Sequence, residues 1–148
     1  TVNVLQAMIL TKEEQMVLTP SYYVFKMYKV HQDATYLPLR VTCENYTFDH
    51  KSIPAVSASA SRNAQGLIHI TLTNCNPNKP LTIICQLRGI DKVRIKDTEI
   101  ITAEEIDSHN DFGKPEKVYI KKLESLKAKK NTLTMDIPSK SIVMVELK

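Results

Sequence analysis

The feature that most constrains the fold is a change in the spacing of apolar residues near Asp33. Beyond it, the segment LIHITLT puts Ile68, Ile70 and Leu72 on one face and polar residues on the other. A period of two indicates half-buried β-strands. A second such segment, LTIICQL, follows NCNPNKP, whose composition is typical of a turn. The two segments predict an antiparallel hairpin, with His69 facing outward at the surface.

Further strands are predicted where short apolar or β-branched runs are bounded by turn residues. They are Leu37–Cys43, Val56–Ser61, Lys92–Ile101, Lys117–Ile120, Thr132–Ile137 and Ile142–Leu147. Earlier in the chain, Val2–Leu10 is interpreted as strand or turn, Lys12–Gln15 as a polar loop and Met16–Leu18 as a short strand. The pattern predicts a mainly β chain: an antiparallel β-sandwich of jelly-roll or Greek-key style, preceded by one α-helix.

The segment TPSYYVFKMYKVHQDA predicts that helix, over Pro20–Val30. Thr19 suits an N-cap, and Pro20 suits the first helical position, where its missing N–H is not needed. Apolar and aromatic side chains occupy more than one face, so the helix is expected to pack against partners on two sides. His31 follows at the C-terminal end, where a cation would suit the helix dipole.

The net charge of +4 is mild and comes largely from one lysine-rich segment. Its lysines are Lys121, Lys122, Lys127, Lys129 and Lys130. A nucleic-acid site usually combines such charge with arginine and stacking aromatics, and Tyr119 is the only aromatic nearby. We interpret the segment as a solvated loop and predict no nucleic-acid partner. No apolar run approaches the ~20 residues of a bilayer span, so no membrane partner is predicted either.

The three cysteines, Cys43, Cys75 and Cys85, are widely spaced. They form no CxxC motif and no Cys/His cluster of the kind that binds zinc. We expect three free thiols, with Cys85 buried in a strand. The sequence therefore predicts no disulfide, no metal site and no cofactor.

No local arrangement of residues predicts an active site. The densest acidic group is Glu104, Glu105 and Asp107, followed by His109. The carboxylate pair of a glycosidase normally comes from separate elements that flank a cleft, ~5–9.5 Å apart. These acids are therefore interpreted as part of a solvated helical turn or capped loop. Neither a GxSxG motif nor a glycine-rich phosphate loop occurs.

Longer motifs carry a family resemblance. The chain contains TVNVLQAMILT, LTPSYYVFKMYKVHQDA and PAVSASAS, and later IHITLTNCNPNKP, DSHNDFGKPEKV and LTMDIPSKSIVMVELK. In this order they resemble the C-terminal part of α-L-arabinofuranosidases of glycoside hydrolase family 51, over nearly the whole chain. Two segments match no family pattern: CENYTFDHKS and the lysine-rich segment.

The resemblance implies a (β/α)₈ catalytic barrel followed by a C-terminal β-sandwich. Residues 1–33 would be the end of the last barrel strand, its loop and its helix, and residues 34–148 the sandwich. The helix would pack between the two domains. Its barrel-facing residues, which we call the predicted interface set, are Tyr22, Tyr23, Val24, Phe25, Met27 and Tyr28. In the isolated chain this apolar surface is expected to be exposed and to favour self-association.

The resemblance also places both catalytic Glu of this retaining family upstream of Thr1, so the chain alone is expected to be inactive. Asn3 matches a family Asn that holds loop backbone near the site, and no direct substrate-binding residue is predicted. The chain is thus expected to be a non-catalytic piece of a longer enzyme. That parent would hydrolyse terminal non-reducing α-L-arabinofuranosides of arabinose-containing glycans, in the periplasm or outside the cell rather than in the cytoplasm.

Two other hypotheses remain open. An independent carbohydrate-binding sandwich usually displays a planar row of Trp or Tyr, whereas this chain has no Trp and its aromatics are concentrated in the helix. A structural interaction module unrelated to sugars would require the ordered motifs to be accidental.

Overall fold

The computed structural model describes residues 7–148, so Asn3 lies outside the described residues. Within this part of the chain, one helix, α1 (Pro20–Tyr28), accompanies twelve strands. The strands are β1 (Ile9–Lys12), β2 (Gln15–Leu18), β3 (Thr35–Tyr36), β4 (Asn45–Phe48), β5 (Lys51–Pro54), β6 (Val56–Arg62), β7 (Ile68–Asn74), β8 (Leu81–Gln86), β9 (Ile95–Ile101), β10 (Leu126–Lys129), β11 (Thr132–Ile137) and β12 (Ser141–Leu147). The predicted mainly β fold with one α-helix is confirmed.

Two antiparallel sheets face each other across the main core. The larger has the order β3-β6-β7-β12-β9 and the smaller the order β10-β11-β8. From β7 onward the chain passes back and forth between them, since β8, β10 and β11 belong to the smaller sheet and β9 and β12 to the larger. Side chains from both sheets fill the core, and its fully buried members include Leu133, Met135, Ile137, Val143, Val145 and Leu147.

The predicted hairpin between LIHITLT and LTIICQL is wrong. Strand β7 pairs with β6 and β12, whereas β8 pairs with β11 in the other sheet. Buried Asn74 shapes the connection, because its Nδ2 donates to the carbonyls of Lys79 and Pro138, each at 2.9 Å. Both strands still direct alternate apolar residues into the core, and such alternation looks the same for paired strands and for strands stacked across a sandwich.

Helix α1 adds a third layer on the outer face of the larger sheet. It continues as a 3-10 turn over Lys29–His31, so the predicted helix Pro20–Val30 is confirmed with a tighter last turn. Tyr23 and Met27 are buried in a second apolar cluster with residues of β9 and β12. Because β7 is covered on both faces, His69 is only 2% exposed and its predicted surface position is wrong.

The N-terminal hairpin of β1 and β2 leads directly into α1. The predicted polar loop Lys12–Gln15 is shorter than expected, because its first and last residues pair across the hairpin. Thr19 precedes the helix as predicted, but its side chain makes no N-cap hydrogen bond. Its hydroxyl donates instead to the carbonyls of Ala7, at 2.8 Å, and Met8, at 3.1 Å. Thr19 thus holds the base of the hairpin to the start of the helix.

The predicted strand Leu37–Cys43 is also wrong. The segment contains Pro38, which has no backbone N–H to donate to a ladder. Of its residues, Leu37 makes a strand-like contact, as its N–H donates to the carbonyl of Ala60 at 3.0 Å. The unrecognised CENYTFDHKS segment instead supplies most of the β4–β5 hairpin.

Two predictions in the last quarter of the chain need correction. Lys117–Ile120 is not a strand, although Lys121 beside it makes an isolated bridge with Ile100 of β9. The lysine-rich segment is not wholly a loop, because β10 lies within it and pairs with β11. Its lysines are nevertheless exposed, as predicted.

The cysteines Cys43, Cys75 and Cys85 are free and partly buried. Cys85 points inward from β8 but is half-buried rather than buried, and this burial raises the pKa of its thiol. Among residues 7–148, the structure contains no helix with the length and apolar character needed to cross a bilayer.

Candidate interdomain surface

The acidic residues considered as a catalytic group lie on an exposed turn. Glu104, Glu105 and Asp107 are all exposed and follow β9 in a stretch without regular secondary structure. Within the described part of the chain, no three His, Cys, Asp or Glu side chains are arranged to hold a metal ion. The structure therefore gives no support to a catalytic role for these acids.

The predicted interface set divides between two sides of α1. Tyr23 and Met27 face the sheet and are buried, so the expectation that they are exposed is wrong. Tyr22, Val24 and Tyr28 are partly buried beside the same cluster. Phe25 is 67% exposed and carries most of the free apolar surface of the helix. Met16 on β2, also exposed, adds to the apolar surface at this end of the chain.

A hydrogen bond ties the sheet-facing side of α1 to the long loop after β9. The Tyr23 hydroxyl donates to Glu116 Oε1 at 2.6 Å. Burial, this hydrogen bond and the negative charge of Glu116 raise the pKa of Tyr23 to about 12. The phenol therefore stays protonated and keeps its role as donor at physiological pH.

Buried Asn110 joins the same loop to the N-terminal hairpin. Its Nδ2 donates to the carbonyls of Leu18, at 2.8 Å, and Val118, at 2.7 Å. Its Oδ1 accepts from the N–H groups of Lys117 and Val118, both at 2.9 Å. All of the side chain's main hydrogen-bonding capacity is used, so the loop is fixed against the end of β2.

A cavity of ≈ 270 Å³ lies between these two elements. One wall is the hairpin residues Gln15, Met16 and Val17, and the other is the loop from Asn110 to Glu116. Asp111 accepts from Lys114 Nζ at 2.7 Å and from the N–H of Phe112 at 2.8 Å. These two hydrogen bonds lower the pKa of the Asp111 carboxyl, so it is ionised at neutral pH.

A polar cluster lies under the opposite end of α1. His31 contacts Ser61 Oγ through Nδ1 at 2.7 Å and Thr71 Oγ1 through Nε2 at 3.0 Å. Burial, together with nearby His69, lowers the pKa of His31, so the neutral form is favoured. The prediction of a cation at the helix end is therefore wrong, since the ring is hydrogen-bonded against the sheet instead of facing solvent.

Sequence reasoning missed Asn110, Glu116 and the hydroxyl of Tyr23 as positioning groups. Asn110 and Glu116 bind Leu18 and Tyr23, which are more than ninety positions away in the sequence, and no spacing rule links such residues. The one available signal is the motif DSHNDFGKPEKV, which contains Asn110 and Glu116 and which only the family resemblance distinguishes from an ordinary loop. Asn3 cannot be placed, because it lies outside the described residues.

Comparison with known proteins agrees with this architecture. A curated relative, an intracellular exo-α-L-arabinofuranosidase of Bacteroides ovatus, is 49% identical over 147 residues, or 99% of this chain. The chain spans 28% of that relative's length. It is therefore similar to one part of a much longer protein.

Solved structures show the same relationship. The family 51 arabinofuranosidase from Xanthomonas axonopodis pv. citri superposes with a TM-score of 0.95 and 38% identity, over all of this chain and 30% of the other. A family 51 α-L-arabinofuranosidase from Bifidobacterium longum has the same fold, with a TM-score of 0.88 and 20% identity, over all of this chain and 29% of the other.

The family assignment comes from the sequence as a whole. A family model described as the α-L-arabinofuranosidase C-terminal domain matches residues 1–141. The match includes the hairpin, the helix and nearly all of the sandwich, and the expected resemblance is confirmed. The chain belongs to the α-L-arabinofuranosidase C-terminal domain family.

Proposed function

We propose that the chain is the non-catalytic supporting domain of a longer α-L-arabinofuranosidase. In this proposal residues 1–33 complete a (β/α)₈ catalytic barrel, and residues 34–148 form the sandwich that packs on it. The parent hydrolyses terminal non-reducing α-L-arabinofuranosides of arabinose-containing glycans with retention. The main support is that the match to much longer arabinofuranosidases runs without interruption from the hairpin through the helix into the sandwich.

The packing of α1 explains how such a domain would support a barrel. Met27 and Tyr23 hold one side of the helix to the larger sheet, and Tyr23 is further held by Glu116. The other side presents Phe25 to solvent. A helix built into the sandwich in this way can hold a neighbouring domain in a fixed orientation, because its position is set by buried contacts.

The absence of activity in the isolated chain is the second part of the proposal. Retaining hydrolysis needs a carboxylic acid and a carboxylate on either side of the bond, about 5–5.5 Å apart. Glu104 and Glu105 are adjacent and exposed, and the carboxylates of Asp111 and Asp97 are engaged by Lys114 and Lys122. In this proposal hydrolysis is carried out by the rest of the longer enzyme, in keeping with the 28% of the curated relative's length that the chain spans.

The test compares residues 1–148 with the full-length protein on a chromogenic α-L-arabinofuranoside. The full-length protein is expected to release arabinose with retention, seen by NMR of the first-formed anomer. The fragment, shown to be folded by circular dichroism, is expected to release none. Turnover by the fragment comparable to that of the full-length protein would refute the proposal.

A matched pair of variants tests the barrel-facing role of the helix. Phe25 and Phe48 are similarly exposed, at 67% and 72%, but lie on α1 and on the β4–β5 hairpin. In the fragment, Phe25→Asp and Phe48→Asp should both leave the free energy of unfolding nearly unchanged. In the full-length protein, Phe25→Asp should lower the free energy of unfolding by about 2 kcal/mol or more. The reason is that a charge would replace an aromatic ring that the barrel buries. Equal effects of the two variants in the full-length protein would argue against this interface.

The isolated fragment also offers a test of self-association. If exposed Phe25 drives self-association, size-exclusion chromatography should show an apparent molecular mass that increases with protein concentration. Phe25→Asp should abolish this increase, and Phe48→Asp should not. A fragment that remains monomeric at all concentrations would remove this part of the proposal.

The alternative of an independent carbohydrate-binding module has less support. Among the described residues, the most exposed aromatics are Phe25, Tyr36, Phe48 and Tyr119. They belong to the helix, β3, β4 and the loop after β9, respectively, and no single strand carries two of them. A planar sugar-stacking row usually draws on one such surface.

A further inference from the structure

The cavity between the N-terminal hairpin and the loop after β9 has fixed walls. Asn110 binds the loop to the carbonyl of Leu18, and Thr19 binds the end of the hairpin to Ala7 and Met8. Glu116, at the far end of the loop, is held by Tyr23. A space bounded by hydrogen-bonded elements on both sides is pre-formed, which lowers the entropic cost of binding a ligand there.

The polar groups that line this cavity retain unused hydrogen-bonding capacity. Glu116 accepts from Tyr23 through Oε1, and its Oε2 has no partner among residues 7–148. The side-chain amide of Gln15 likewise makes no hydrogen bond within the described part of the chain, and Lys114 uses one of its three N–H donors on Asp111. Phe112, partly buried, adds an aromatic ring to the same wall.

The charge in the cavity selects against anionic ligands. Lys114 and Asp111 compensate each other, and Glu116 adds an uncompensated negative charge. Carboxylate, amide and ammonium groups beside an aromatic ring suit the hydroxyls and apolar faces of neutral sugars. A uronic acid or other acidic sugar would be repelled by Glu116.

We propose that this cavity binds neutral sugar residues of the parent's glycan substrate. The inference rests on the proposed function. If α1 is the last helix of a (β/α)₈ barrel, the hairpin before it is a strand-to-helix loop, and such loops form the catalytic face of these barrels. The sandwich loop from Asn110 to Glu116, bound to that hairpin, then brings its polar groups to the face where the substrate enters.

The experiment uses the full-length enzyme and the ratio of two kcat/KM values. One substrate is a chromogenic α-L-arabinofuranoside, and the other is a neutral arabino-oligosaccharide. Gln15→Ala and Phe112→Leu each change one wall of the cavity, and each is expected to lower the oligosaccharide-to-chromogenic ratio by about threefold to tenfold. The loss should appear in KM rather than kcat, because these groups bind sugar and do not touch the reacting bond.

Gln65→Ala is the matched control, since Gln65 is exposed in the turn between β6 and β7, next to the strands that His31 contacts. It should leave the ratio unchanged. If Gln15→Ala and Phe112→Leu also leave the ratio unchanged, or lower both kcat/KM values equally, the cavity makes no contact specific to the oligosaccharide and the inference is overturned. Thermal unfolding of each variant identifies a loss that arises from misfolding. An unmutated full-length protein with no arabinofuranosidase activity would overturn the proposed function itself.

Discussion

The two faces of the larger sheet are built in different ways. The inner face is apolar, with Ile70, Leu72, Val143 and Val145 buried against the smaller sheet. The outer face includes a polar row across four strands: Ser61 pairs with His69, His69 with Glu146 and Glu146 with Asp97. The inner face is stabilised mainly by apolar burial, whereas the polar groups of the outer face depend on hydrogen-bond partners.

The covering of the outer face changes the chemistry of its residues. His69 Nε2 lies 2.9 Å from Glu146 Oε2, while its Nδ1 has no hydrogen-bond partner among the described residues. Glu99, on the neighbouring strand, has a raised pKa because burial and the charge of Asp97 oppose its ionisation. Within the described residues, the outer face thus leaves one buried polar atom, His69 Nδ1, without a partner, whereas the buried hydroxyl of Thr98 on the inner face donates to the carbonyl of Leu123 at 3.0 Å.

The largest expected effect is on the inner face. Leu133→Ala removes a fully buried side chain between the sheets and should lower the free energy of unfolding by about 3 kcal/mol, through lost burial and a new cavity. The exposed neighbour Thr134 is the control, and Thr134→Ala should change stability by less than about 0.5 kcal/mol. Urea denaturation measures both. Equal losses would mean that the strand, not its inward face, carries the stability.

A smaller and more local effect is expected on the outer face. Met27 is fully buried under α1, and Met27→Ala should lower the free energy of unfolding by about 2 kcal/mol. This loss is smaller than for Leu133→Ala, because the helix can move partly into the space left by the side chain. Hydrogen exchange should quicken in α1 and remain slow in β7 and β12. The control is Lys29→Ala, which changes an exposed position. Uniformly faster exchange across the sandwich would show that helix and core unfold as one unit.

The polar side of the outer face should respond to pH through His31. Its pKa is lowered in the fold, so the unfolded chain takes up the proton first and stability falls as pH drops below about 6.5 toward the folded-state pKa. Above pH 6.5, where the His31 ring is neutral in both the folded and the unfolded chain, its contribution to the free energy of unfolding is fully present. His31→Gln can still reach Ser61 and Thr71 but cannot titrate, so its unfolding free energy should vary less between pH 7.5 and 5.5. The same pH dependence in both proteins would assign it to groups other than His31.

The smallest effect is expected where charges pair in solvent. Lys79 Nζ lies 2.5 Å from Glu44 Oε1, and both side chains are more than half exposed. Lys79→Ala should therefore lower the free energy of unfolding by less than about 0.5 kcal/mol, and by a smaller amount at high salt, where the charges are screened. A loss above about 1 kcal/mol in thermal unfolding would show that the pair also fixes the segment before β4.

The sequence predicted the inner face better than the outer one. Alternation in β7, β8, β11 and β12 located the strands and their inward residues, and Pro20 located the start of the helix. It could not show that β7 and β8 lie in different sheets, because both arrangements bury the same alternate residues. It also assigned His69 to solvent, since a period of two distinguishes the faces of a strand without saying what covers each.

The candidate interdomain surface was harder to predict from the sequence, because it depends still more on long-range contacts. Phe25 was predicted as part of it and is exposed, but Tyr23 and Met27 face the sheet. Helical periodicity shows that a helix is apolar on two sides, and it does not show which side meets which neighbour. Asn110 and Glu116 were not predicted as positioning residues, because their partners Leu18 and Tyr23 are more than ninety positions away.

By itself, the sequence determined the local elements of this protein, because strand and helix periods, Pro20 and the turn compositions act over a few residues. Its extended motifs also determined the family. The tertiary structure alone decided the pairing of strands, the burial of His69, the division of the helix into two sides and the cavity beside Asn110. Each of these depends on contacts between residues far apart in the chain, and packing energies that join such residues leave no local pattern in the sequence.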